Sequence, residues 1–195
     1  MIEINRSEIN DNQEARLGTQ SGFTFIDVLM AIAVMTIGML GLLMTLTMAM
    51  VATTQGQQEV VAKQFATSTM ESIFSARDIN NPAITSFAVI ANNTTSGGIF
   101  LTGYNPIYVT TNSLGQVVPA TGANGIVGTS DDGVGTGVTA YPGFMRSITI
   151  TDISNNSNGT INLLRIVVSI QYKVNNLTLT QTMTSYLANY NTQSV

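Results

Sequence analysis

The sequence predicts an α+β protein in which a long N-terminal helix packs on a C-terminal antiparallel β-sheet. Three observations support this fold class: an uncharged apolar stretch, a following segment with apolar residues at helical spacing, and C-terminal segments in which apolar and polar residues alternate. The chain has 195 residues, which is enough for about one domain and an appendage.

The apolar stretch predicts a helix that crosses a membrane. No charged residue occurs from Val28 to Gln58, and the run from Phe23 to Val51 is largely apolar. About 20 apolar residues suffice to span a bilayer as a helix. A cleaved secretory signal has an apolar core of only about 7–15 residues after a positive start, whereas this core is longer and follows a net acidic segment. The simplest alternative is a signal anchor that holds a periplasmic domain.

The helix is predicted to continue beyond the membrane as an amphipathic segment. In residues 52–77, Ala62, Ala66, Met70 and Ile73 recur on one side, with polar residues opposite. A helix from about 24 to 77 would be roughly 80 Å long. It is expected to end near Asn80-Asn81-Pro82, because proline disfavours helix in the residue before it.

The rest of the chain has the pattern of β-strands. Alternating residues favour an antiparallel meander that packs its apolar face on the outer half of the helix, with Asn175-Asn176 as a tight hairpin turn. The glycine-rich residues 112–143 are expected to form a long loop. The candidate strands are Ile84–Ile90, Pro106–Thr111, 144–153, 160–173 and 177–187.

The composition excludes several functional classes. The chain has no histidine and no cysteine, which excludes histidine acid–base chemistry, cysteine nucleophiles and Cys/His zinc sites. Only 9% of its residues are charged, and a net charge of −4 with seven Lys and Arg gives no indication of nucleic-acid binding. The sequence therefore predicts that the protein is not an enzyme.

The start of the apolar stretch carries the most informative pattern. Gly22 precedes Phe23, and the single carboxylate of Asp27 follows four residues later. A carboxylate in a membrane helix is costly unless it is paired or wet, which makes it a candidate functional residue. If the chain were cut after Gly22, the new ammonium of Phe23 would lie one helical turn from Asp27. Alternatively, Asp27 lies at the membrane surface and stays hydrated.

The segment from Gly22 to Ala31 closely resembles the class III signal of type IV pilins and type II secretion pseudopilins. The segment from Val34 to Leu43, with its Ile-Gly-x-x-Gly-Leu stretch, further resembles the PilV-type minor pilins. The resemblance covers roughly the first 55 residues of the chain after the cleavage point. It departs from the family at Asp27, where a glutamate is usual, and in the leader, which contains two Arg against four acids.

The resemblance implies a specific life cycle for the chain. A prepilin peptidase would cut between Gly22 and Phe23 and methylate the Phe23 amine. The subunit would wait in the inner membrane with its N-terminus cytoplasmic and its head periplasmic. The inner-membrane assembly platform would then move it into an extracellular pilus or a periplasmic pseudopilus made with other pilins. Asp27 would pair there with the Phe23 ammonium of an adjacent subunit.

This life cycle gives the predicted organisation of the chain. A prepilin leader occupies 1–22, the membrane-spanning or filament-core half of the helix 23–51, its amphipathic half 52–81, and the β-rich head 82–195. In the leader, Arg16 is a cytoplasmic marker, because membrane orientation follows Lys and Arg near the span.

Two glycines in the apolar stretch are candidate packing residues. Gly38 and Gly41 would permit close helix–helix approach in a membrane or a filament core. They could instead allow local unwinding when the subunit leaves the bilayer. The simplest alternative is that glycine is common in membrane helices.

A second cluster lies in the glycine-rich loop. Asn124, Asp131 and Asp132 could supply oxygen ligands to calcium, the only cofactor that the sequence suggests. The loop lacks the EF-hand pattern, and a solvated turn is the favoured alternative.

The leading hypothesis is a structural subunit, a minor type IV pilin that is incorporated into a pilus or primes its assembly. A minor pseudopilin of a type II secretion or competence system shares every feature of the junction. A signal-anchored periplasmic binding domain would leave the N-terminus uncut and make Asp27 dispensable. A hydrolase built on Asp131 and Asp132 is the weakest hypothesis, because no base or nucleophile accompanies them.

Overall fold

A computed structural model describes residues 22–78, 87–95, 97–154 and 163–189. By its internal contacts the chain forms two compact units, the N-terminal unit Met1–Met50 and the sheet unit Val51–Val195. The predicted leader up to residue 21 lies outside the described residues. The described elements are helix α1 Phe25–Asp78, a 3-10 helix Phe87–Val89, and strands β1 Asn105–Thr111, β2 Val117–Pro119, β3 Thr139–Asp152, β4 Leu163–Val174 and β5 Leu177–Ala188.

The long apolar N-terminal helix is confirmed. Helix α1 has 54 residues and matches the predicted bounds of 24 and 77 to within one residue at each end. It contains no proline, and its N-terminal part is rich in Ala, Leu and Met, which favour helix. The expected stop near Asn80-Asn81-Pro82 lies outside the described residues.

The C-terminal part of α1 contributes to the hydrophobic core of the sheet unit. Ala62, Ala66, Met70 and Ile73 are buried, as their spacing predicted, and belong to one cluster with the inward side chains of the sheet. The α+β layout of the prediction is therefore observed.

Aromatic side chains join the helix to the sheet. The Phe65 ring of α1 makes edge-to-face contacts with Tyr141 and Phe144 of β3, at centroid distances of 5.2 and 5.7 Å. The Phe144 ring then stacks on Tyr172 of β4 at 5.9 Å. Such pairs contribute roughly 0.5–1.5 kcal/mol beyond the area that they bury.

The five strands form one antiparallel sheet in the order β2-β1-β3-β4-β5. Its last three strands are the predicted meander. Ile166, Val168 and Ile170 are fully buried on the core face of β4, as their alternation predicted. Asn175 has a φ of 54° in the turn between β4 and β5, a conformation that asparagine tolerates better than most residues. The first three residues of the predicted strand 160–173 lie outside the described residues.

The prediction of one long loop over 112–143 was wrong at two places. The segment contains the short strand β2, and β3 begins at Thr139 rather than at 144. The pairing of β1 with β3 shifts between Pro106 and Tyr108, so that β3 carries extra residues around Pro142 and Gly143. Pro142 has no N–H to donate, and Gly143 has a φ of 77°. Proline and glycine are each typical of a strand end, so these two residues led to the prediction that the strand begins only at 144.

The predicted strand Ile84–Ile90 was also wrong where the structure describes it. Phe87–Val89 is a 3-10 helix, and residues 84–86 lie outside the described part. The following segment uses the buried side chain of Asn92 in place of a strand. The Asn92 Nδ2 donates to the Ile148 carbonyl at 2.7 Å, and its Oδ1 accepts from the Ile150 N–H at 2.8 Å. The Asn92 amide thus satisfies main-chain groups of β3 in the part of that strand that does not pair with β1.

Candidate functional site

The predicted cleavage junction lies in exposed backbone just before the helix. Gly22, Phe23 and Thr24 have no regular secondary structure, all three are exposed, and α1 begins at Phe25. A β-carbon added at Gly22 would have no atom within 4 Å. The fold of this chain therefore places no steric demand for glycine at position 22, so a demand for glycine there would come from a partner.

Asp27 is held in the first turn of α1 by Thr24. Its Oδ2 accepts hydrogen bonds from the Thr24 N–H at 3.0 Å and the Thr24 hydroxyl at 2.8 Å. The Thr24 Oγ1 in turn accepts from the Asp27 N–H at 3.4 Å. This reciprocal arrangement is a capping box, with Thr24 as N-cap and Asp27 at the third helical position. The carboxylate also complements the positive end of the helix dipole.

The capping box uses only one of the two oxygens of the Asp27 carboxylate. Both recorded bonds to the carboxylate end on Oδ2, and the described part of the chain offers Oδ1 no donor. Asp27 is exposed, and no charged residue occurs from Val28 to Gln58. The carboxylate is therefore positioned by Thr24 and, within the described residues, remains open to a cation.

The apolar stretch of α1 presents an apolar surface, and its hydroxyl groups are satisfied within the helix. Every residue from 22 to 57 is exposed, and by length and composition the helix could cross a membrane or act as a signal anchor. Between residues 28 and 50 the only polar side chains are three threonines. Thr36, Thr45 and Thr47 each donate to a main-chain carbonyl three or four residues earlier, at 2.8–2.9 Å. Such internal pairing is what an apolar solvent requires of a hydroxyl.

Gly38 and Gly41 lie on this exposed helix. A β-carbon at either position would have no atom within 4 Å. Glycine costs a helix about 1 kcal/mol relative to alanine, and nothing in the described chain compensates for that cost. A close approach to these glycines would have to come from another helix.

The acids of the glycine-rich loop are brought together, but they bind protein groups. The Asp131 carboxylate accepts from the Asn124 main chain at 3.0 Å and the Asn124 side chain at 2.9 Å. It also accepts from the Thr129 hydroxyl. Burial alone would raise the pKa of Asp131, but the hydrogen bonds from Thr129 and main-chain N–H groups outweigh it and lower the pKa below its ordinary 3.8.

Asp132 has different partners and lies deeper. Its Oδ2 accepts from the Gly128 N–H at 2.6 Å and from Arg146 Nη2 at 2.7 Å, while its Oδ1 accepts from the Thr129 N–H. Gly128 has a φ of 98°, and a β-carbon there would clash with the Ile148 side chain at 2.2 Å. Glycine is therefore required at the point where the loop main chain contacts the acid.

Arg146 is the charged residue that the sequence analysis missed. It lies on β3 and is 4% exposed. Its Nη1 also approaches the Thr69 hydroxyl of α1 at 3.4 Å. Burial lowers the pKa of the guanidinium, and the charge and hydrogen bond of Asp132 counter that shift. The signal was its place in the alternation of β3, because Arg146 has the same parity as the buried Phe144 and Ile148.

The ion pair of Asp132 and Arg146 connects the loop, the sheet and the helix. The loop is also attached to α1 by the Val127 N–H, which donates to the Ser72 Oγ at 3.1 Å. Among the described residues, no group of three or more His, Cys, Asp or Glu side chains could hold a metal ion. In this geometry the loop acids organise the fold.

Comparisons with protein-family models, with curated proteins and with solved structures give no match to this chain.

The hydrogen-bonded loop leads to an expected result for calcium. Calcium would have to compete with the donors that Asn124, Asp131 and Asp132 already bind. We therefore expect millimolar calcium to leave the melting temperature of the full chain in detergent unchanged. A calcium site at a hundredfold saturation would add about 2.7 kcal/mol to the free energy of unfolding. A rise that Asp131→Asn abolishes would establish the calcium loop instead.

Proposed function

We propose that this chain is a minor type IV pilin, a structural subunit that a prepilin peptidase processes and that enters or primes a pilus. The supporting observation is the order of features at the start of α1. An exposed Gly22–Phe23 bond precedes a capped helix whose first turn holds Asp27, the only carboxylate in the apolar stretch up to Val51. The sheet unit then supplies a folded head on the C-terminal part of the same helix.

Each feature has a role in this proposal. The peptidase cuts an exposed peptide bond and methylates the amine of Phe23. Thr24 becomes the second residue and keeps Asp27 oriented, so that the open Oδ1 binds the ammonium of an adjacent subunit. The apolar surface lies first in the inner membrane and then among the helices of other pilins, brought there by the assembly platform. No enzymatic step is assigned to the chain itself.

Intact mass and N-terminal sequencing of the membrane-extracted protein test the proposal. With a co-expressed prepilin peptidase, we expect a chain that starts at Phe23 and is about 14 Da heavier because of one methyl group. Gly22→Ala should block processing without affecting the fold, since a β-carbon there has open space. Gly56→Ala, at another open position, is the matched control. A chain that still starts at Met1 beside an active peptidase contradicts the proposal and favours the signal-anchored periplasmic binding domain.

A minor pseudopilin of a type II secretion or competence system would pass the same test. The two assignments share the junction, the helix and the head. Deletion of the pilus machinery or of the secretion machinery in the native host would separate them, because only one deletion would strand the processed subunit in the inner membrane.

The glycine pair gives a further expected result. Replacing both Gly38 and Gly41 by leucine should impair entry into the filament, measured by cell fractionation of sheared pili against membranes. Leucine is the better helix former, so damage to α1 cannot account for a loss. Gly56→Leu serves as the control on the same helix. Unchanged incorporation would remove both the packing role and the unwinding role of these glycines.

A further inference from the structure

Strand β5 forms a long edge of the sheet with a regular backbone. It pairs with β4 without interruption from Leu163↔Ala188 to Val174↔Leu177. On its other side, no strand in the described part of the chain pairs with it. From Thr178 to Tyr186 its N–H and C=O groups on that side are therefore a template for another strand, whereas the Ala188 carbonyl at its end accepts from Arg77 Nη1 of α1 at 3.2 Å.

Apart from the contact of Arg77 with Ala188 at its end, the β5 edge lacks, in the described part of the chain, the devices that usually protect a sheet edge. Natural edges are short or carry lysine, proline or a bulge. The opposite edge follows this rule, since β2 has three residues and ends at Pro119. Strand β5 contains no charged residue, no proline and no glycine, and no charge follows Lys173 to the end of the chain.

We propose that two copies of this chain pair through β5 in antiparallel orientation, with Thr182 at the two-fold axis. The two sheets then form one ten-stranded sheet. A two-fold axis perpendicular to the sheet keeps core face beside core face, so residues of equal parity meet. Thr182 meets its own copy, and Thr180 meets Thr184 of the partner subunit.

The absence of charge favours a second copy as the occupant. At a two-fold axis each residue near the centre lies close to its own copy, so a charged strand would place like charges together. Strand β5 avoids this repulsion along its whole length. Cross-strand threonine pairs are favourable neighbours, and the proposed pairing creates three of them around the axis.

A row of hydroxyls supports the register at Thr182. Across the sheet, Ser147 is paired with Ser169 and Ser169 with Thr182. The Ser169 and Thr182 hydroxyls already lie 3.1 Å apart. With Thr182 at the axis this row continues unbroken into the second copy and becomes six hydroxyl side chains wide.

Cysteine cross-linking tests the pairing and its register. The chain has no native cysteine, so an introduced thiol is unique. Directly opposite residues in antiparallel strands have Cα atoms about 4.5–5.5 Å apart, within disulfide range. In the full chain in detergent, Thr182→Cys should form a homodimer on mild oxidation. Thr180→Cys mixed with Thr184→Cys should give a mixed dimer at least about tenfold faster than either alone.

Matched controls separate β5 pairing from other association. Thr149→Cys is exposed on the same face of the sheet but on the central strand β3, and should stay monomeric. Thr182→Lys should weaken the dimer by up to about fivefold, as seen by light scattering after gel filtration, because it places two ammonium groups together. Thr149→Lys should leave the affinity of the dimer unchanged.

The inference does not depend on the pilin proposal. Dimerisation through β5 should be insensitive to Gly38→Leu, whereas association through the apolar helix should not be. A wild-type chain that elutes as a monomer would overturn the pairing. The pairing would also be overturned if Thr182→Cys cross-linked at a rate no higher than that of Thr149→Cys, or if it cross-linked to a different protein.

Discussion

Asp132→Asn is expected to destabilise the sheet unit by about 3–5 kcal/mol, because it leaves the buried guanidinium of Arg146 without a counter-charge. Arginine cannot lose its proton in a protein, and the other recorded partner of Arg146 is the Thr69 hydroxyl at 3.4 Å. Domains of this size are typically stable by only about 5–15 kcal/mol. Urea unfolding of the full chain in detergent, followed by tyrosine fluorescence, measures the loss.

Arg146→Met should cost less than Asp132→Asn. The Asp132 carboxylate left behind keeps its hydrogen bonds from the Gly128 N–H, the Thr129 N–H and the Thr129 hydroxyl. The double variant should be more stable than the sum of the single losses predicts, because neither buried charge is then left unpaired.

An exposed arginine on the next strand provides the control for these variants. Arg165→Met removes the same charge from β4, where the side chain faces solvent, and should change the free energy of unfolding by at most about 0.5 kcal/mol. If Asp132→Asn and Arg165→Met have equal effects, Asp132 and Arg146 do not form the buried ion pair that the structure places between the loop and β3.

Local patterns were sufficient to predict most of the fold. The helix and the three C-terminal strands follow from spacing within each segment, since the side-chain periods of 3.6 and 2 are properties of neighbouring residues. Asn175-Asn176 identified the hairpin, because the loop length selects the turn. Where a segment mixes strand and turn signals, as at Pro142 and Gly143 in β3, the long-range pairing with β1 decided the outcome.

The buried polar contacts could not be predicted in the same way. Arg146 meets Asp132 from 14 residues away and Thr69 from 77 residues away, and no local pattern contains either distance. Asn92 likewise replaces strand pairing at β3 from 56 residues away. The parity of Arg146 within β3 is a local signal that an arginine faces the core, although the sequence analysis did not use it. Its partner could be identified only from the folded loop.

The start of α1 shows the same division. The Thr-x-x-Asp spacing of Thr24 and Asp27 is a capping signature that can be read from the sequence, and the structure forms it. Asp27 thus has a helix-capping role that is separate from the proposed pairing with the Phe23 ammonium. A test of the pairing has to remove the charge while it keeps the cap.

Asp27→Asn meets that requirement and is expected to abolish stable entry into the filament. The amide oxygen of asparagine can still accept hydrogen bonds from Thr24, so the first turn of α1 is retained, but the adjacent subunit's ammonium loses its counter-charge. We expect at least about a tenfold fall in the processed subunit recovered in sheared filaments. Processing at Gly22–Phe23 and insertion in the membrane should be unaffected, which N-terminal sequencing of the membrane fraction would verify.

Two variants make the Asp27 result specific to charge. Thr24→Ala removes the capping hydroxyl and keeps the carboxylate, so it should retain most of the incorporation that Asp27→Asn loses. Asp27→Glu restores the charge with one more methylene and should recover filament entry, since the exposed first turn has space for the longer side chain. If Thr24→Ala lowers incorporation as much as Asp27→Asn does, the carboxylate acts through the helix cap, and the ammonium of a neighbouring subunit is not its partner.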